Sequence, residues 1–211
     1  RWARGLLDEP GLSDVLSERL IAVEQPFHRS MALSDEAGGA LRAMRSRLAV
    51  IIDESDCDVT TVREAMDLGY AGGTYKGCKG VFRGLANSAL VRARAVTHRT
   101  VLTTEDLATL PPITVAQDLV VSSFMGLSHL ERNGHHYFGT LAPIDPAIEE
   151  KALAAHPDAY ERGADERVRL RITAGKVDVR SLRAAPFGFS GEVDCASLPL
   201  LSATTAIEGL A

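Results

Sequence analysis

Two stretches of the sequence, LIAVEQP at residues 20–26 and LAVIIDES at residues 48–55, end in the same way. In each, a run of apolar residues meets an acidic residue, Glu24 or Asp53. An apolar run of this length that stops at a breaker predicts a buried strand, and its lack of alternation favours a parallel sheet covered by helices. A carboxylate at the C-terminal end of such a strand is poorly placed for packing, so the pattern predicts that Glu24 and Asp53 bind something.

Around these stretches the sequence alternates between strand and helix patterns. Helices are predicted over residues 34–47, from residue 60 or 61, over residues 81–96 and from residue 114. The predicted strands end at Glu24, at Asp53, at Lys76, near Thr103 and near Glu131, at intervals of 29, 23, 27 and 28 residues. A strand–helix unit of an eight-stranded barrel takes roughly 30 residues, and such barrels do their chemistry at the C-terminal strand ends. The spacing therefore predicts an α/β fold with five successive strands of a TIM-type (β/α) barrel.

An open, doubly wound sheet is the structural alternative. It would be expected to carry a glycine-rich phosphate turn. The best candidate, GGTYKGCKG at residues 72–80, does not fit the phosphate-loop pattern because Cys78 follows Gly77 where lysine is required. The barrel is therefore the preferred prediction.

The pattern changes after Glu131. Residues 145–160 are predicted to form a helix, and the alternating stretch RVRLRITAGKVDVR predicts a hairpin that turns at Ala174 and Gly175. We therefore expect residues 1–141 to form the partial barrel. Residues 142–211 are expected to form a C-terminal helix, hairpin and tail that packs back on the barrel or on a further capping domain.

Composition excludes several classes of function. The chain has 211 residues with a formal net charge of −5, which gives no electrostatic reason to expect a nucleic-acid partner. No segment approaches the run of about 18 apolar residues that a membrane helix needs. Three scattered cysteines do not make a disulfide framework, so we expect a cytoplasmic protein.

The strand-end residues have a consistent chemistry. Two carboxylates, Glu24 and Asp53, on neighbouring strands and aimed at one barrel mouth would repel each other unless a cation lay between them. Mg²⁺ prefers oxygen ligands and is commonly held by a few carboxylates together with substrate oxygens. Lys76 ends the next strand, where burial and a nearby cation would lower its pKa and let it act as a general base.

These residues resemble the enolase superfamily, in its mandelate racemase and muconate-lactonizing branch. The resemblance rests on the motifs VEQP and IDES and on the strand that ends in Lys76, and it extends over nearly the whole chain. It implies that the strands are about the fourth to the eighth of a modified (β/α)7β barrel. Glu24 and Asp53 would be the second and third Mg²⁺ ligands, Lys76 the base, and Glu131 the acid on the eighth strand that hydrogen-bonds the substrate carboxylate.

The sequence also departs from the family pattern. The first metal ligand and the specificity-conferring capping domain would lie upstream of Arg1. The family's double glycine after the sixth-strand lysine is replaced by Lys79, Gly80 and Val81. Lys79, His135 and His136 are predicted to contact substrate at the mouth. A zinc site at the two histidines is disfavoured, because adjacent histidines do not share a helix face and no third ligand is evident.

The resemblance implies a Mg²⁺-dependent enzyme that abstracts the α-proton of a small carboxylate substrate, and a homo-oligomer when full length. Racemase or epimerase, acid-sugar dehydratase and cycloisomerase activities stay open. Each site residue also has a plain structural interpretation, as a solvated strand end, a helix cap or a surface ion pair. The alternative function is a catalytically inactive fragment that needs a partner half.

Overall fold

The computed structural model describes residues 5, 8–106, 112–132, 146–192 and 194. Five parallel strands form one sheet in the order β1-β2-β3-β4-β5, which curls into a half-barrel. The strands are β1 (Val23–Glu24), β2 (Val50–Ile52), β3 (Gly72–Tyr75), β4 (Val101–Asp106) and β5 (Leu130–Arg132). The predicted α/β fold with five successive parallel strands is confirmed.

A helix follows each of the first four strands. These helices are α2 (Asp35–Met44), α3 (Thr61–Leu68), α4 (Val81–Arg94) and α5 (Ile113–Phe124), and α1 (Leu12–Arg19) precedes the sheet. Helix α2 begins where the Ser34 hydroxyl accepts a hydrogen bond from the Ala37 backbone N–H, with acidic residues in the first turn. None of the helices in the described ranges is long and apolar enough to cross a bilayer.

The main core lies between the sheet and the helices on its outer face. Val50 and Ile52 point outward from β2 and pack in one cluster with residues of α2, α3 and α4, namely Leu41, Val62, Ala65, Met66 and Val91. The inner face near the start of the strands carries smaller contacts among Ala49, Ile51 and Ala71. Apolar burial on the outer face thus fixes which strand residues point inward, because side chains alternate along a strand.

The C-terminal part packs on α5. It consists of α6 (Pro146–Ala155), an antiparallel pair β6 (Tyr160–Arg162) and β7 (Val168–Leu170), and a short α7 (Arg180–Ala184). A second core cluster joins α5 to all of these elements, listed as Val115, Ala116, Leu119, Ala152, Ala159, Tyr160, Val168, Leu170 and Leu182. The described C-terminal residues therefore share a core with the last helix of the half-barrel.

Three predicted boundaries differ from the structure. The helix predicted over residues 145–160 ends at Ala155, and Tyr160 lies in β6. A turn does form at Ala174 and Gly175, but it closes a single bridge between Thr173 and Lys176, because the β7 strand pairs with β6 instead. Strand β4 continues to Asp106 rather than ending near Thr103.

Candidate active site

The half-barrel brings the predicted strand-end residues to one edge. Glu24 ends β1, Asp53 directly follows β2, and Lys76 directly follows β3. Glu105 of β4 and Glu131 of β5 are direct partners in the parallel register. The C-terminal strand ends therefore form a single mouth with charged groups from all five strands, as in barrels that carry active sites there.

Asp53 is the most enclosed charged group of this mouth, with 1% of its surface exposed. One carboxylate oxygen accepts a hydrogen bond from Lys76 Nζ at 2.7 Å, and the other accepts one from Lys79 Nζ at 2.9 Å. Burial alone would raise the pKa of Asp53, but the hydrogen bonds and charges of these two lysines outweigh burial and lower it. Asp53 is therefore held as a carboxylate.

Lys76 lies between two carboxylates. It is 7% exposed and forms ion pairs with Asp53 and with Glu105. Burial would lower the pKa of the Lys76 ammonium, but hydrogen bonds to these carboxylates raise it above its usual value. This direction is opposite to the one expected from the sequence, because Lys76 pairs directly with Asp53 and also with Glu105. Lys76 is a protonated group in this arrangement.

Lys79 points into the protein and extends this row of charges. Its ammonium also donates to the Asp53 backbone carbonyl at 2.9 Å and lies 3.2 Å from an Asp56 carboxylate oxygen. Asp56 in turn pairs with Arg83 at the start of α4. Three carboxylates and three cations thus alternate across β2, β3 and β4, so the charges of this row balance.

Glu24 lies at the exposed rim beside this balanced row. Desolvation by the surrounding strand ends, the charge of Asp53 and a hydrogen bond with Asp53 raise the pKa of Glu24 to about 7, although a hydrogen bond with Thr74 opposes the shift. Within the described ranges, neither Glu24 nor Glu131 has an ion pair. The row therefore balances neither of these two carboxyl groups, and Glu24 carries its negative charge only as the pH rises through about 7.

An open cavity of about 400 Å³ lies at this mouth. Its walls include Glu24, Glu105 and Glu131, the hydroxyls of Thr74 and Thr103, and His129. Gly175, from the turn after β7, also lines it, so the C-terminal part contributes one wall. The cavity is wide enough for a small polar substrate beside the strand-end carboxylates.

The structure brings some of the predicted site residues together at the mouth but not all of them. Glu24, Asp53 and Lys76 lie together on successive strands, and Glu131 faces the same cavity across β4. The Lys79 ammonium, which was predicted to contact substrate, contacts oxygens of Asp53 and Asp56. His135 and His136 lie outside the described residues.

The mouth offers carboxylate oxygens of Glu24 and Asp53 and the hydroxyl-bearing Thr74 and Thr103, which are ligands that suit a hard cation. Glu24 and Asp53 are near enough to hydrogen-bond, and neighbouring carboxylates of this kind are stabilised by a shared cation. Within the described part of the chain, no group of three or more His, Cys, Asp or Glu side chains is arranged as a metal site. Glu24 and Asp53 thus offer a partial set of the oxygen ligands that Mg²⁺ takes, although both Asp53 carboxylate oxygens also accept hydrogen bonds from Lys76 and Lys79.

Sequence reasoning missed Glu105, Asp56 and Arg83. Glu105 follows the predicted end of the fourth strand in the motif TTED, and extending that strand by two residues would have placed it beside Lys76. Asp56 lies in the acidic stretch DESDCD at residues 53–58, where no local pattern distinguishes it from its neighbours. Arg83 lies within the sequence of a helix, and no local pattern indicates that it reaches the β2 loop.

No family model matches this chain, and no curated protein and no solved structure is significantly similar to it. The resemblance to the enolase superfamily therefore depends on the motifs and on the strand order that carries them.

Proposed function

We propose that this chain carries part of the active site of a Mg²⁺-dependent isomerase or lyase that moves the α-proton of a small carboxylate substrate. In this proposal the five parallel strands correspond to about the fourth to the eighth strands of an enolase-superfamily barrel. The observation that carries the proposal is the grouping of Glu24, Asp53 and Lys76 at the C-terminal ends of three successive parallel strands.

The charge distribution supports a cation at the mouth. The row from Arg83 to Glu105 is balanced by its own ion pairs, whereas Glu24 adds a further carboxylate next to Asp53. A divalent cation that shares these two carboxylates would offset their repulsion and the charge of an incoming substrate carboxylate.

Lys76 is the proposed proton-transfer group. Its ammonium lies between Asp53 and Glu105, which keep it protonated, so it holds the proton that it would return to substrate carbon. For Lys76 to accept a proton it must first lose one, and the release of its bond to Asp53 would favour that loss. Lys79 would keep Asp53 in place meanwhile, because it binds the other carboxylate oxygen and the backbone carbonyl.

Glu131 is the proposed substrate-orienting group. It lines the same cavity as Glu24 and has no ion pair among the described residues, so its carboxyl group is available to a ligand. Thr103 and His129 offer further hydrogen-bonding groups on the same wall.

The experiment is α-proton exchange in D2O. The protein that contains this chain would be incubated with Mg²⁺ and a panel of acid-sugars, N-acyl amino acids and dipeptides, and deuterium incorporation would be followed by NMR. We expect exchange with at least one class, and its loss in Lys76→Met. Lys151→Met, which removes an exposed lysine on α6, is the matched control and should retain activity.

Two outcomes would count against the proposal. Exchange that survives in Lys76→Met would remove Lys76 from the chemistry. A folded protein that exchanges no substrate in the panel and shows no response to Mg²⁺ would favour the alternative of a catalytically inactive fragment.

A further inference from the structure

Gln25 has an unusual backbone conformation immediately after Glu24. Its φ angle is +38°, in the left-handed region that residues with a side chain rarely adopt. Pro26 follows and prevents the strand from continuing as a regular ladder. Such strain persists only where surrounding contacts hold it, and it concentrates at functional sites.

The side chain of Gln25 takes over a main-chain bond at this point. Val23 N–H donates to the Ala49 carbonyl and Gln25 N–H donates to the Ile51 carbonyl, which is the regular parallel pattern. The next bond of that pattern would run from Asp53 N–H to the Gln25 backbone carbonyl. Instead, Asp53 N–H donates to the side-chain oxygen of Gln25 at 3.0 Å.

The other contacts of the same amide extend into the β2 loop. Gln25 Oε1 also accepts from the Ser55 backbone N–H at 3.4 Å, while Nε2 donates to the Ser55 hydroxyl at 2.7 Å and to the Phe27 carbonyl at 3.2 Å. Both polar atoms of one side chain thus tie the turn after β1 to the loop that starts at Asp53. The chain can therefore turn away from the sheet directly after Glu24, while the Asp53 backbone stays bonded to the Gln25 side chain.

We infer that Gln25 is a positioning residue that holds the Asp53 carboxylate beside Glu24 for cation binding. The inference rests on the proposed function for the identity of the cation. Its structural part, the clamp on the Asp53 and Ser55 backbone, depends only on the hydrogen bonds described above. Groups that orient metal ligands in this way typically change metal affinity about 10–100-fold when they are removed.

Two variants separate the parts of this role. Gln25→Met keeps the length of the side chain but removes both hydrogen-bonding atoms. Gln25→Glu keeps an oxygen that can accept from the Asp53 and Ser55 N–H groups, so it is the conservative rescue. Gln117→Met, on α5, is the control for loss of a glutamine amide elsewhere in the chain.

The two measurements are amide hydrogen exchange at Asp53 and Ser55, and a Mg²⁺ titration of the ¹⁵N-labelled protein that contains this chain, followed by NMR at pH 8. In Gln25→Met we expect these two amides to exchange at least about tenfold faster and the Mg²⁺ Kd to rise about tenfold or more. Gln25→Glu should restore the protection and recover most of the affinity, and Gln117→Met should match the unmodified protein in both.

The results distinguish this inference from the proposed function. Unchanged amide exchange in Gln25→Met would overturn the clamp. Faster exchange with an unchanged Mg²⁺ Kd would overturn the positioning role and leave Gln25 as a turn-stabilising residue. If the unmodified protein did not respond to Mg²⁺ at all, the proposed function would fail, and the positioning of Asp53 for a cation would fail with it while the exchange data still tested the clamp.

Discussion

The position of Lys76 between two buried carboxylates makes it a residue on which folding depends. Removing one partner of a buried ion pair leaves an uncompensated charge and typically costs about 3–5 kcal/mol. We therefore expect Lys76→Met to lower the free energy of unfolding by about that amount, measured by urea denaturation at pH 7, because Glu105 and Asp53 both lose a partner. Lys151→Met should change it by less than about 0.5 kcal/mol. Equal effects of the two substitutions would show that the ion pairs around Lys76 contribute nothing to stability.

The raised pKa of Glu24 predicts a specific dependence of the protein's stability on pH. Because its pKa in the folded protein is about 7, above the ordinary value of 4.5, the folded state holds this proton more tightly than the unfolded chain does. The resulting contribution to stability is complete below about pH 4.5 and is lost as the pH rises through about 7.

The measurement is urea denaturation at pH 5 and pH 8 without divalent cations. The unmodified protein should lose more stability between these values than Glu24→Gln does. Glu54→Gln, at an exposed acid of the neighbouring loop, should behave like the unmodified protein. A Glu24→Gln protein with the full pH dependence would mean that other groups cause it.

At the scale of elements, the packing of α4 on β3 depends on one helical glycine. A Cβ atom at Gly84 would overlap the ring of Tyr75, which is 4% exposed. Overpacking of this kind typically costs about 1–3 kcal/mol, which exceeds the gain of about 0.5–1 kcal/mol from replacing a mid-helix glycine by alanine. Gly84→Ala should therefore destabilise the protein in thermal or urea denaturation.

Gly39 of α2 provides the opposite case. Nothing lies within 4 Å of a Cβ atom built there, so Gly39→Ala should show only the helix-propensity gain and stabilise the protein. If both substitutions stabilised the protein, α4 would have room to move away from β3, and contact with the Tyr75 ring would not restrict the side chain at position 84.

At the scale of the whole molecule, the half-barrel has two edge strands in its described sheet, β1 and β5. Edge strands offer backbone groups to other chains and promote association. Ile21, 42% exposed just before β1, adds an apolar side chain at this edge. We expect the 211-residue chain to associate with itself as its concentration rises in analytical ultracentrifugation.

A charge at the β1 edge should weaken this association. Ile21→Lys is expected to shift the chain toward monomer, whereas Ile172→Lys, at a similarly exposed isoleucine outside the sheet, should not. A chain that stays monomeric at all concentrations, or an equal response to both substitutions, would contradict the role of the β1 edge.

The strand order and the positions of Glu24, Asp53 and Lys76 could be predicted from the sequence, because apolar runs, breakers and unit length are local patterns. The hairpin partner of β7 could not be predicted, since the choice between two neighbouring segments depends on the apolar cluster formed on α5. The end of β4 was misplaced because TTED has no breaker to mark it.

The sequence by itself determined the order of the half-barrel and the kind of residue at each of its predicted strand ends. Only the tertiary structure decided that Glu105 pairs with Lys76, that Lys79 holds Asp53, and that Gln25 replaces a backbone carbonyl in the β1–β2 ladder. The reason is that the residue at which a strand ends depends on local features of the sequence, namely its apolar runs and its breakers. The protonation and orientation of the group there depend on charges that come within about 3 Å only after separate strands have packed together.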